Sequence, residues 1–139
     1  MEIKVYNELP DEAREIREEV FVREQGFNEE FDTTDETAIH FLLFDSDEAA
    51  AVCRAFSDDN GESYHIGRLA VKKKYRGEHL GAELLHAVEK HIQSLGAKQS
   101  VLSAQLQAEG FYEKQGYTRQ GDIYYDEHCP HILMMKKLR

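Results

Sequence analysis

Between positions 80 and 96, Leu80, Leu84, Leu85, Val88, Ile92 and Leu95 recur at three- and four-residue steps, and Gly96 follows. That stripe is one face of a helix of about four turns, and glycine is the residue that most readily ends one. A helix with a single apolar face must lie on something, and the flanking sequence supplies strands. Ile3 and Val5 alternate with polar residues. Ala38 to Phe44 and Ala49 to Phe56 are apolar runs about Asp45-Ser46-Asp47, which reads as a hairpin. Asp58-Asp59-Asn60-Gly61 marks a second turn, and Tyr64 to Val71 a third central strand. After Pro10, Ala13, Ile16, Val20 and Phe21 predict an amphipathic helix to about Glu24, stopped by Gly26. Val101-Leu102 reads as a short strand and Gln105 to Gln115 as a short helix ended by Gly116. Ile123 to Tyr125 and Ile132 to Met135 read as a final strand pair.

The resulting order, β-α-β-β-β-α-β-α-β-β, does not alternate as a doubly wound parallel sheet does. It predicts an α/β domain of α+β-like character: a central mixed, mostly antiparallel sheet of six to seven strands with helices on both faces. The 139 residues hold no repeat and no Pro/Gly/Ser linker, so residues 1–139 are read as one domain. With 17 Lys+Arg against 27 Asp+Glu, a net charge of −10 argues against nucleic acid as a partner. No apolar run approaches the ~20 residues of a membrane span, and Met1 to Tyr6 is unlike a secretory leader. Cys53 and Cys129 match no paired metal or redox spacing, so a cytoplasmic, metal-free protein is expected.

One segment carries chemistry. Leu69-Ala70-Val71-Lys72-Lys73-Lys74-Tyr75-Arg76-Gly77-Glu78-His79-Leu80-Gly81-Ala82 runs from a strand through a basic glycine turn into the long helix. A helix start offers unpaired N–H groups and a positive dipole end to an anion. Gly77 and Gly81 permit close backbone approach, and Arg76 has the forked donors that suit phosphate. The alternative is a turn glycine, a packing glycine and a solvated basic face. The segment lacks the Gly-Lys-Ser/Thr of a nucleoside triphosphate loop and the triple glycine of a dinucleotide fold.

Arg76-Gly77-Glu78-His79-Leu80-Gly81 resembles the Arg/Gln-x-x-Gly-x-Gly/Ala motif of the Gcn-five-related N-acetyltransferase (GNAT) superfamily, with His79 where that motif prefers glycine. Ala108-Glu109-Gly110-Phe111-Tyr112-Glu113-Lys114-Gln115-Gly116-Tyr117 resembles the superfamily's Ala-x-x-Phe-Tyr-x-x-x-Gly-Phe/Tyr element, with Gln105 in place of a frequent asparagine. Val20-Phe21-Val22-Arg23-Glu24-Gln25-Gly26-Phe27 and the tail Glu127-His128-Cys129-Pro130-His131 are similar to the ElaA-like branch.

The resemblance implies a GNAT domain that moves an acetyl group from acetyl-CoA to a primary amine of a small molecule or peptide. A non-catalytic acyl-CoA-binding regulatory domain is the alternative. The residues from Arg76 to Ala82 would then hold the pyrophosphate, and Leu69, Ala70 and Val71 the pantetheine arm through strand-edge backbone groups. Gln105 would bond the same arm. Tyr112 would sit at the sulfur and protonate the leaving thiolate, its alternative being a packed aromatic. Glu24, His40, His65, Glu127 and His131 are candidate bases, with His131 leading and ordered water as the alternative. Arg23, Glu24 and Phe27 are candidate acceptor contacts. Glu29, Glu30, Asp32, Asp35 and Glu36 suit either a cationic acceptor or a solvated loop. Monomer and homodimer are both compatible with the sequence.

Overall fold

A computed structural model describes residues 1–58 and 60–138; Asp59, within the expected second turn, and the terminal Arg139 lie outside it. Seven strands form one sheet in the order β1-β2-β3-β4-β5-β7-β6. They are β1 (Glu2–Tyr6), β2 (Ile39–Asp45), β3 (Glu48–Ser57), β4 (Ser63–Val71), β5 (Gln99–Gln105), β6 (Thr118–Asp126) and β7 (Cys129–Lys137). Every neighbouring pair is antiparallel except β4 and β5. The helices are α1 (Asp11–Arg17), α2 (Leu80–Ser94) and α3 (Glu109–Lys114).

The sheet separates two cores. Leu80, Leu84, Leu85, Val88 and Ile92 of α2 pack on Phe41, Leu43, Cys53, Ile66, Leu102 and Met134. Ala13 and Ile16 of α1, with Val20 and Phe21, pack on Leu42, Phe44, Val52 and Ala70 from the other side. Successive strand residues point to opposite faces, so Phe41-Leu42-Leu43-Phe44 is apolar throughout because both faces are covered. The expected amphipathic helix does run to Glu24, but its second half, Glu18–Glu24, is wound as a π-helix. Such widened turns cluster at functional sites. The last two strands are longer than their apolar residues suggested, since exposed polar ends continue the β6–β7 ladder.

The feature that positions the site is a parting of strands. β4 and β5 pair only from Ser63 to Ile66 and from Gln99 to Leu102. At that point the β3–β4 register shifts between Val52 and Arg54, and Arg68 adopts φ 54°. A non-glycine residue in that region marks an inserted residue, and such bulges bend a strand away from its partner. Beyond Ile66 the two strands diverge and leave a cleft between them.

Candidate active site

A cleft of about 220 Å³ fills the parting, with walls from Gly67, Arg68 and Leu69 of β4 and Ser103 and Gln105 of β5. Phe21, Gln25 and Phe27 close one side, and Tyr112 and His131 face it from α3 and β7. Along Leu69 to Val71 β4 ladders with β3 alone, so its edge toward β5 forms no strand pairing, and the Val71 carbonyl there accepts from Arg76 Nε at 2.9 Å. An extended amide-bearing chain can add to such an edge as a strand would.

Beside the cleft, α2 begins at Leu80 with His79 as its N-cap and no side-chain cap bond. The first N–H groups of a helix have no intrahelical acceptor, so an uncapped start is an anion seat. Gly77 has φ 87° with open space where a Cβ would stand, so only its backbone conformation demands glycine. His79 has φ 62° and ψ 21°, the left-handed conformation that suits the glycine usual in the motif and that His tolerates better than most residues. A Cβ on Gly81 would make only ordinary contacts, 3.6 Å to Phe111 and 3.7 Å to Val71.

Three of the four basic side chains of this turn are engaged elsewhere, and Lys73 is exposed. Arg76 donates from Nη1 and Nη2 to the two Glu24 oxygens, each at 2.8 Å, and from Nε to the Val71 carbonyl at 2.9 Å. Glu24 therefore pins the end of the π-helix to the glycine turn, and the Arg76 guanidinium holds its carboxyl below the usual range. Lys74 and Lys72 turn to Glu48 at 2.7 and 3.4 Å, and Tyr75 donates to the same carboxylate at 2.7 Å. What this turn leaves open to an anion is its backbone N–H groups and Lys73.

His131 is buried, and its Nδ1 lies 2.9 Å from the Cys129 carbonyl oxygen. A carbonyl can only accept, so Nδ1 carries a proton, and in the neutral ring the lone pair is the one on Nε2. Nε2 has no partner among the described residues, and His131 lines the cleft. Gln105 and Tyr124 flank His131 in the β5-β7-β6 ladder, and the Tyr124 ring stacks on it with centroids 6.0 Å apart. The Tyr112 ring packs edge-on to Phe111 and Tyr117, with centroids 5.0 and 5.9 Å away. Burial raises the Tyr112 phenol well above its ordinary value, so it stays protonated and can act as a donor.

The remaining sequence candidates divide. Phe27 is buried against the His128 and His131 rings and lines the cleft, whereas Arg23 is exposed and does not. Gln105 donates to Gln25 Oε1 at 2.7 Å and accepts from Gln107 at 2.6 Å, so its amide spans the cleft to the π-helix end. His40 is bonded to the Asp35 carbonyl oxygen, and His65 stacks on Phe56; neither lines the cleft. Glu127 accepts from the Asn28 and Glu29 backbone N–H groups, both at 2.9 Å, and from Asn28 Nδ2 at 3.1 Å. It ties the β6–β7 turn to the loop after the π-helix.

That loop is a solvated acidic face only in part: Glu29 and Glu36 are exposed, whereas Glu30, Asp32 and Asp35 meet arginines. Arg17, fully buried, donates to Glu30 at 2.8 Å and Asp35 at 2.7 Å, while Arg54 bonds Asp32 at 2.7 Å and Asp35 at 2.9 Å. Arg68 reaches Glu30 at 3.0 Å. Three carboxylates of the loop are thereby matched by three arginines. Composition concealed this, and so did sequence distance. The structure also adds Gln25, Arg68, Ser103 and Asp126 to the cleft; of these only Arg68, polar within an apolar strand, carried a readable signal.

Residues 7–138 match the family model described as an acetyltransferase (GNAT) domain. The chain belongs to the GNAT acetyltransferase family. The uncharacterized N-acetyltransferase YjcF of Bacillus subtilis is 34% identical over 125 residues, 87% of this chain and 87% of that protein. Protein ElaA of Escherichia coli is 32% identical over 129 residues, 89% of this chain and 84% of ElaA. The ElaA crystal structure superposes with a TM-score of 0.86 at 29% identity, over 97% of this chain and 98% of that one. The chain is thus an acyltransferase of the ElaA-like GNAT branch. An aminoglycoside 6'-N-acetyltransferase complexed with coenzyme A shares the fold, with a TM-score of 0.77 at 17% identity over 99% and 97% of the two chains. Among the described residues no His/Cys/Asp/Glu grouping could hold a metal ion, and no helix is long and apolar enough to cross a membrane.

Proposed function

We propose that this GNAT domain transfers an acetyl group directly from acetyl-CoA to a primary amine of a small molecule or peptide. The observation that supports this reading is that His131, whose Nε2 has no partner among the described residues, and Tyr112 line one cleft beside an uncapped helix start. The pyrophosphate would take the N–H groups from Arg76 to Ala82, and the pantetheine amides would pair with the edge of Leu69 to Val71 toward β5. His131 Nε2 takes a proton from the acceptor ammonium, and the freed nitrogen attacks the thioester carbonyl carbon. When the tetrahedral intermediate collapses, the C–S bond breaks, the thiolate takes the Tyr112 proton, and the excess proton left on the nitrogen passes to the Tyr112 phenolate, which leaves the ammonium's other proton on His131. The products are the amide and CoA thiol, with no metal involved. The solved CoA complex of a structural neighbour supports a CoA-shaped site in this fold. A cytoplasmic place of action suits the free, buried thiols of Cys53 and Cys129.

The test is thiol release from acetyl-CoA across amines, polyamines, amino sugars and peptides. Release that depends on a primary amine, with the acetyl group recovered on its nitrogen, is the expected result. Tight CoA binding with no release across the whole panel would overturn the transfer reading.

A further inference from the structure

We propose that the acceptor is a dication, a short aliphatic diamine or a chain end with a second ammonium, held at its far end by Glu29 and Asp126. This rests on the transfer reading above. The cleft between β4 and β5, about 220 Å³ and open to solvent, has room for an extended amine chain. Its ionised lining is Glu29, Glu30, Asp126 and Arg68. Glu30 is satisfied by Arg17 at 2.8 Å and Arg68 at 3.0 Å, so that pair cancels. The Glu29 and Asp126 carboxylates have no partner among the described residues, which leaves two negative charges at the rim. Both line the one cleft, and the Glu29 N–H donates at 2.9 Å to Glu127, the residue next to Asp126, which ties their segments together. At the inner end stands His131, 6% exposed and with Nε2 unpartnered, a lone pair that accepts a proton from one amine. Phe21 and Phe27 give the wall between them an apolar surface that suits methylenes. One end of the cleft therefore deprotonates an ammonium while the other holds an ammonium charged. A carboxylate at the far end of the acceptor would meet like charge.

Putrescine, n-butylamine and γ-aminobutyrate share a four-carbon chain and differ in what the far end carries. With acetyl-CoA as donor, kcat/KM should favour putrescine over n-butylamine by about tenfold, as two partly exposed ion pairs allow, with γ-aminobutyrate slowest. In a Glu29→Gln/Asp126→Asn double variant whose melting and CoA affinity match wild type, the putrescine to n-butylamine ratio should fall to about twofold or less. Transfer to putrescine and n-butylamine with similar kcat/KM overturns the dication site and leaves the transfer reading intact. So does transfer only to amines outside this series, or a preference that survives the double variant. Absence of thiol release with every amine overturns both.

Discussion

At the scale of single residues, the cleft contains one group that can take a proton and one that can give it. Burial keeps the Tyr112 phenol protonated. Replacing Tyr112 by Phe removes only the donating oxygen and leaves the ring packing on Phe111 and Tyr117. Single-turnover transfer should slow by about 10²–10⁴-fold, the usual contribution of a general acid, while acetyl-CoA affinity changes little. A rate within about threefold of wild type would return Tyr112 to packing alone. Glu127 acts through others: its carboxylate organises the loop that carries Glu29 into the cleft wall. Glu127→Gln keeps one acceptor oxygen but loses the charge, so acceptor KM should rise severalfold with CoA affinity unchanged. Equal KM values in steady-state assays would show that the strap does not set the acceptor site.

Among the elements, α2 serves two ends. Its middle is anchored by Leu84 and Leu85, both with no exposure, against the sheet. Leu84→Ala should cost about 2–5 kcal/mol in chemical denaturation, because the space left cannot collapse between a helix and a covered sheet. Its beginning is left open. Gly81→Pro deletes an N–H in the first helical turn, where proline is tolerated and no intrahelical bond is lost. If that N–H faces the pyrophosphate, calorimetry should show CoA affinity weakened by about tenfold or more, the worth of a hydrogen bond to a charged group. Gly77→Val should weaken it too, by forcing a β-branched residue to φ 87°. Unaltered CoA affinity in both variants would move the anion seat elsewhere.

For the molecule as a whole, the cluster of Arg17, Arg54 and Arg68 with Glu30, Asp32 and Asp35, buried except at Asp32 and Arg68, joins helix, loop and sheet. Burial works to raise the Asp35 carboxyl, but bonds from Arg17 and Arg54 bring it down to about 2. A folded-state value below the unfolded one means stability that is complete above the usual carboxylate range and lost as pH falls through about 2. Asp35 should therefore contribute roughly 2–3 kcal/mol at neutral pH that disappears on acidification. Glu30 acts with the opposite sign, since burial raises its carboxyl despite its arginine partners and its ionisation weakens the fold. Thermal melts from neutral pH down to about pH 2 should show a smaller decline in Asp35→Asn than in wild type, from a lower starting stability. Parallel curves would show that Asp35 does not carry the acid sensitivity.

The α2 stripe, the apolar runs of β2 and β3 and the glycine turn before Leu80 were legible because they depend on local periodicity and backbone conformation. The same is true of His79, whose left-handed conformation explains why its motif prefers glycine. Periodicity also located the helix that ends near Glu24, but not its π-winding, which has no distinct apolar spacing. The partners of charged groups were beyond reach of pattern. Nothing in the order of residues pairs Glu24 with Arg76, Arg17 with Asp35, or Glu127 with the Asn28 and Glu29 amides 99 and 98 positions away. Each pairing arises only when the sheet brings distant segments together. The sequence by itself determined most strand and helix segments and the glycine turn that leads into the long helix. Only the tertiary structure decided which charges are cancelled and which are left to meet a substrate, because charge compensation depends on distance in space.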